Sequence, residues 1–161
     1  LAYKKRKRKM LKNTKKNGLA TKAIHSGQEH DKTTGAIMVP IYASSTYVQS
    51  SPGKHKGYEY SRTQNPTRTA YEKCVADLEG GKYGFAFASG MAAADTIISL
   101  LNVGDEVIAI DDLYGGTRRL FEKVKQKKNG ISFKFLSSYQ FDNLKKYISN
   151  STRIVWVKHQ L

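Results

Sequence analysis

The chain is poor in the residues that staple small folds. Of its 161 residues one is cysteine (Cys74), three are proline and one is tryptophan. A single thiol excludes an internal disulfide and fits a reducing compartment, so a cytoplasmic location is expected. No apolar run is long enough to span a bilayer and no charged-then-apolar leader is seen, so no membrane partner is expected. The histidines, His25, His30, His55 and His159, have no metal-ligand spacing and no cysteine companions, so no metal is expected either. A Walker-type glycine loop is lacking, and Ser89-Gly90 lacks the earlier glycine of a nucleophile elbow. Asp111 and Asp112 are adjacent on a strand and point to opposite faces, which excludes a carboxylate dyad.

What is abundant is positive charge. The formal net charge is +15, and nine Lys or Arg fall within residues 1–16 without one acid. Residues 1–17 thus form a basic tail, and the remainder is modestly basic. The tail's charge suits nucleic acid, a membrane surface or nuclear import. A solvated, disordered end with little to fold around is the plainer reading. A third is that residues 1–9 are sequence upstream of a start at Met10. The last two are favoured, which argues against nucleic acid as a partner; the alternative function is a short non-catalytic interaction or nucleic-acid-binding protein acting through the tail.

The remaining chain is long enough to bury a core. Residues 18–65 read as an irregular arm, broken by Pro40, Pro52, Gly35, Gly53 and Gly57. A helix is predicted over 66–79, with Tyr71, Val75 and Leu78 on its inner stripe. A short buried strand is predicted from Tyr83 to Ala88, then a helix over 91–101 and a strand from Glu106 to Ile110. A basic amphipathic helix over 115–128 should bury Leu120, Phe121 and Val124. Strand 131–136, helix 140–148 and strand 153–157 complete the pattern. Alternating helices and continuously apolar strands predict an α/β fold with a mainly parallel sheet covered on both faces.

Three places could carry chemistry. Tyr60 and Arg62 precede a helix start at Asn65-Pro66; two residues apart on an extended arm, they share a side and suit a phosphate, although plain surface residues would look the same. Ser89-Gly90-Met91 falls where a strand gives way to a helix, whose free N–H groups favour an anion, or which simply needs a tight turn. Tyr114 follows a strand's carboxyl end, where it could lie flat on a planar ring or pack beneath its loop. Arg119 reads as an exposed helix arginine.

Three blocks in order, Tyr58-Glu-Tyr-Ser-Arg-Thr-Gln-Asn-Pro-Thr67, Phe85-Ala-Phe-Ala-Ser-Gly-Met-Ala-Ala93 and Asp111-Asp-Leu-Tyr-Gly-Gly-Thr117, resemble the pyridoxal-phosphate enzymes of cysteine and methionine metabolism. These are the cystathionine gamma-lyase and gamma-synthase relatives, and the likeness covers about residues 19–157. It implies the N-terminal part of a large domain of the aspartate aminotransferase type. The arm 18–65 would wrap a neighbouring subunit, with an incomplete cofactor-binding domain over 66–157. It implies pyridoxal 5′-phosphate as cofactor, an amino-acid substrate, and a homo-oligomer, a tetramer in the family. Tyr60 and Arg62 would serve the neighbour's cofactor phosphate, and Gly90 and Met91 the same subunit's. Tyr114 would stack on the ring and take part in proton transfer, and Arg119 would lie near the substrate. The likeness stops at Val157, after which Lys158-His159-Gln160-Leu161 replaces the family's Glu-Thr-Pro-Thr-Asn-Pro. Those four residues are what a one-base frame slip yields. A frameshifted or pseudogene product is expected, a biologically truncated form being the alternative. The Schiff-base lysine would lie beyond residue 161, so the chain alone is expected to be inactive.

Overall fold

The arm is less irregular than its glycines and prolines suggest. In the computed structural model, which describes residues 17–157, it carries helix α1 (Leu19–His25) and a small hairpin of β1 (Gln49–Ser51) and β2 (Lys54–His55). The basic tail and the segment 158–161, with the readings attached to them, lie outside the described residues. Neither α1 nor the hairpin has an apolar period to announce it. Helix α1 is held from outside, by helix α2 (Pro66–Leu78). Lys22 Nζ donates to the Asp77 carbonyl at 2.7 Å and pairs with its carboxylate at 3.2 Å, while Ser26 Oγ donates to the same carboxylate.

Helix α2 starts where its chemistry dictates. Asn65 Oδ1 accepts from the N–H groups of Thr67 (2.9 Å) and Arg68 (3.4 Å), and Pro66 takes a first-turn position that has no hydrogen bond to lose. Its inner face is only partly the predicted one: Ala70 and Ala76 are buried, Val75 and Leu78 are half-buried, and Tyr71 is exposed. The backbone of Gly27 comes so near that a Cβ there would lie 2.5 Å from the Ala70 carbonyl oxygen, so only small residues fit that face.

The buried strand predicted for Tyr83–Ala88 is also corrected. The segment has no ladder partner among the described residues, and Phe85 is 77 % exposed. The Ala86 N–H donates to Glu72 Oε1 at 3.0 Å rather than to a strand. Gly84 packs hard on α2, with room for no side chain beside the Glu72 carbonyl. Alternation sends Tyr83, Phe85 and Phe87 outward on the other side.

The chain divides into two compact units between Ala86 and Phe87, so α2 belongs with the arm. The second unit holds α3 (Gly90–Ile98), β3 (Glu106–Ile110), α4 (Gly115–Arg119), a π-turn (Leu120–Lys125), α5 (Gln126–Asn129) and β4 (Ser132–Leu136). It closes with α6 (Ser138–Phe141), a 3-10 turn (Leu144–Lys146) and β5 (Thr152–Trp156). The three strands form one sheet in the order β4-β3-β5, and both pairings are parallel. Parallel neighbours need crossovers, which the helices provide. Ile98, Val107, Phe121, Ile131 and Phe133 form the core, with Phe121 stacked on Phe133 at 4.7 Å and edge-on to Trp156 at 5.4 Å.

Two helix predictions need correction. The helix after Tyr114 contains a π-turn, closed by the Gln126 N–H donating to the Phe121 carbonyl. A turn closed over five residues advances less per residue, so the position four along from Phe121 faces inward instead of the one three along. Lys125 is accordingly buried and Val124 exposed. Lys125 Nζ meets Asp95 Oδ1 at 2.8 Å and Ser99 Oγ at 2.9 Å. The helix predicted over 140–148 breaks after Phe141. Ser137 and Gln140 cap each other reciprocally to start it, but Asp142 and Asn143 favour local turns and only one 3-10 turn follows.

At the amino end of the sheet the buried Glu106 ties all three strands. It accepts from Thr152 Oγ1 (2.6 Å) and Ser149 Oγ (3.1 Å), and pairs with Lys134 Nζ (3.0 Å). These contacts, the Thr152 hydroxyl foremost, hold its carboxyl below the usual carboxylate range against the opposing effect of desolvation.

Candidate functional site

At the other end of the same sheet, beyond the carboxyl ends of β3 and β5, the chain leaves an open cavity of about 480 Å³. Open parallel sheets hold ligands at this end. Helix α3 supplies one wall. Ser89 caps it, its Oγ accepting from the Ala92 N–H at 3.1 Å, and the Ala93 N–H is taken by the Ser89 carbonyl. The N–H groups of Gly90 and Met91 come before the first intrahelical bond and face an entrance carrying the positive end of the helix dipole.

Gly90 has no structural reason to be a glycine. Its φ is not positive, and an added Cβ would find nothing within 4 Å. The space in front of it is therefore open to a ligand that approaches the backbone closely.

The opposite wall is Tyr114, the residue just before α4. Its ring is 67 % exposed and borders the cavity together with Met91, Thr117 and Trp156. A flat aromatic face, two free amides and an apolar floor suit a planar anionic ligand whose phosphate rests on α3. The sequence motifs did not point to Trp156. Its signal is its place at the carboxyl end of a strand paired to β3, where it lines the cavity while packing on Phe121.

Arg119 is exposed on α4 and is not among the residues lining this cavity. Its neighbour Arg118 is engaged, with Nε on Glu122 Oε1 at 2.9 Å and its guanidinium 4.5 Å from the Phe135 ring centre.

Tyr60 and Arg62 belong to the first unit, where they meet each other. The Arg62 guanidinium lies 4.9 Å from the Tyr60 ring centre, and Tyr60 bridges to Thr46 across an isolated antiparallel pair. Arg68, which the motif reading passed over, props this arm. Its guanidinium donates to the carbonyls of Ser61 (3.1 Å), Arg62 (3.4 Å) and Thr63 (2.7 Å). A cation three residues into a helix and facing its own N-terminal arm was the signal for that role.

Among the described residues no group of His, Cys, Asp or Glu could hold a metal ion, and no helix is long and apolar enough to cross a membrane.

The chain has close likenesses among known proteins. The sequence model of a family described as Cys/Met metabolism PLP-dependent enzyme matches residues 20–159. A cystathionine beta-lyase of Coxiella burnetii is 54% identical over 91% of this chain and 38% of its own length. A probable cystathionine gamma-synthase of Herpetosiphon aurantiacus is 48% identical over 88% of this chain and 44% of its own. The solved structure of a cystathionine gamma-lyase from Lactobacillus plantarum, complexed with L-serine, superposes with a TM-score of 0.81 at 43% identity. That match covers 88% of this chain and 36% of the neighbour's. The chain thus spans about two fifths of the length of the curated relatives it matches.

Proposed function

The chain belongs to the PLP-dependent enzymes of Cys/Met metabolism, and from that premise we propose that it contributes one part of a site for carbon–sulfur bond chemistry on cystathionine-type amino acids, the chain by itself being inactive. The reaction class is elimination or replacement, as in the lyases and synthases it resembles. Identities of 54% to a beta-lyase and 48% to a gamma-synthase are too close to choose between those activities.

In this reading the N–H groups of Gly90 and Met91 hold the cofactor phosphate, and Tyr114 lies along the pyridine ring. When bound, that ring supplies an electron sink. The Tyr114 phenol holds or passes a proton. Arg119 serves the substrate side. Tyr60 and Arg62 reach the cofactor phosphate of a neighbouring subunit in a homo-oligomer, a tetramer, of the cytoplasm.

The observation that carries the proposal is the open space at Gly90. A glycine required by neither packing nor backbone, beside free amides and an exposed aromatic ring, is accounted for by a close-lying anion. Gly90→Ala tests this directly. Stability should be kept or slightly raised, because the new methyl meets nothing and alanine is the better helix former. Affinity of the chain for pyridoxal 5′-phosphate, measured by titration calorimetry, should fall about tenfold, equivalent to about 1.4 kcal/mol. Equal affinity in Gly90→Ala, or wild-type binding that is the same for pyridoxal lacking the phosphate, would remove the basis of the assignment.

A further inference from the structure

Two residues that follow Tyr114 in the Asp111–Thr117 motif sit at the cavity, Gly116 against the Tyr114 ring and Thr117 against Met91. A Cβ added at Gly116 would lie 2.5 Å from Tyr114 Cε1, 3.1 Å from its Cδ1 and 3.4 Å from Met91 Sδ. Gly116 needs no positive φ, so the space it frees, and not its backbone, is what distinguishes it. The next residue, Thr117, points its hydroxyl at Met91 Sδ at 3.8 Å, a weak hydrogen bond to a thioether. We infer that Gly116 and Thr117 are positioning residues: Gly116 clears the place that the Tyr114 ring occupies, and Thr117 tethers the Met91 side chain beside it.

This rests on the reading of Tyr114 and Met91 as cofactor-facing groups and extends it to the residues that aim them. The Tyr114 ring is largely exposed, so a methyl at residue 116 moves the ring more cheaply than it moves the helix. Loss of the Thr117 hydroxyl frees a flexible thioether, which then competes for the cavity.

The test uses the full chain with 13C-methyl methionine and needs no cofactor for its first arm. Tyr114 ring protons should show cross-relaxation with the Gly116 Hα protons in the wild type and lose it in Gly116→Ala, with the global fold retained. Thr117→Val, which keeps shape and removes the hydroxyl, should shift the Met91 methyl resonance. In the second arm, Gly116→Ala should weaken pyridoxal 5′-phosphate binding about two- to tenfold, the range of one aromatic stacking contact. Inorganic phosphate should bind it as it binds the wild type. Persistence of the Tyr114 contact in Gly116→Ala, global unfolding of that variant, or an unmoved Met91 methyl in Thr117→Val would each overturn the inference. A wild type that binds neither probe would sink the cofactor reading alone, because the first arm is read without any ligand.

Discussion

The second unit closes a chain of buried apolar side chains, from Ile98 through Phe121 to Leu136, over its central strand. The first unit buries only Ala70 and Ala76 among its described hydrophobic residues. It relies instead on polar staples around the start of α2. Asn65 Nδ2 donates to the Tyr42 carbonyl at 2.9 Å, Thr67 Oγ1 to the Pro40 carbonyl at 2.9 Å, and Arg68 to three carbonyls of the arm. Meanwhile Leu19, Ile24, Ile37, Met38, Ile41 and Val48 stay exposed. Burying one large apolar side chain is worth about 1.5–3 kcal/mol, against about 0.5–1.5 kcal/mol net for one hydrogen bond. The Gly90–Tyr114 cavity therefore stands on a stiff base. The Tyr60–Arg62 arm is specified in shape but lightly held.

The hardest blow to this contrast is aimed at the second unit. Phe121 is fully buried between Phe133 and Trp156, so Phe121→Ala should cost about 3–5 kcal/mol. Trp156 is the chain's sole tryptophan, and its fluorescence in a urea titration reports that unit. A loss under about 1 kcal/mol would mean that the core does not carry the unit.

The complementary change in the first unit should be smaller and local. Asn65→Ala removes the cap of α2 and the arm's tie to Tyr42, with an expected loss of about 0.5–2 kcal/mol. Hydrogen exchange should quicken around Tyr60–Arg62 while the Trp156 transition stays in place. A matching shift of the Trp156 midpoint would show that the two units unfold as one.

The same contrast governs how much could be read from the sequence. Strands β3, β4 and β5 lie within one residue of their predicted bounds, and β3 matches them because its run is buried almost throughout and that burial is local to this unit. The start of α2 was legible because Asn-Pro is a self-contained signal. What was missed depends on partners distant in sequence. Helix α1 exists because Asp77 receives Lys22 and Ser26, and the expected strand at Tyr83–Ala88 gives its Ala86 N–H to Glu72. Lys125 went unread because a π-turn leaves no trace in an α-helical period. In the candidate site, the motifs pointed to Gly90, Met91 and Tyr114, which border one cavity, whereas Trp156 comes from a strand register no motif records.

The finest probe of the contrast sets one carboxylate against another. Glu106 in the second unit and Asp77 in the first both have their carboxyls held below the ordinary range, Glu106 chiefly by the Thr152 hydroxyl and Asp77 chiefly by the Ser26 hydroxyl, with Lys22 next. For each, the unfolded chain takes up protons at a higher pH than the native one. The stabilisation is therefore complete above the ordinary carboxylate range and is lost as pH falls through the depressed native value. The surroundings differ: the Glu106 side chain is 10% exposed, whereas the Asp77 side chain is 48% exposed. Solvent and salt screen the second far more than the first. Acid titrations at low and high salt should show a Trp156-read transition that salt scarcely moves and that Glu106→Gln flattens. Exchange of the α1 amides should show a weaker acid response that salt erases and Asp77→Asn removes. Equal salt sensitivity in the two readouts would mean that both carboxylates act as surface charges, and the division between a buried unit and a polar-stapled one would lose its electrostatic half.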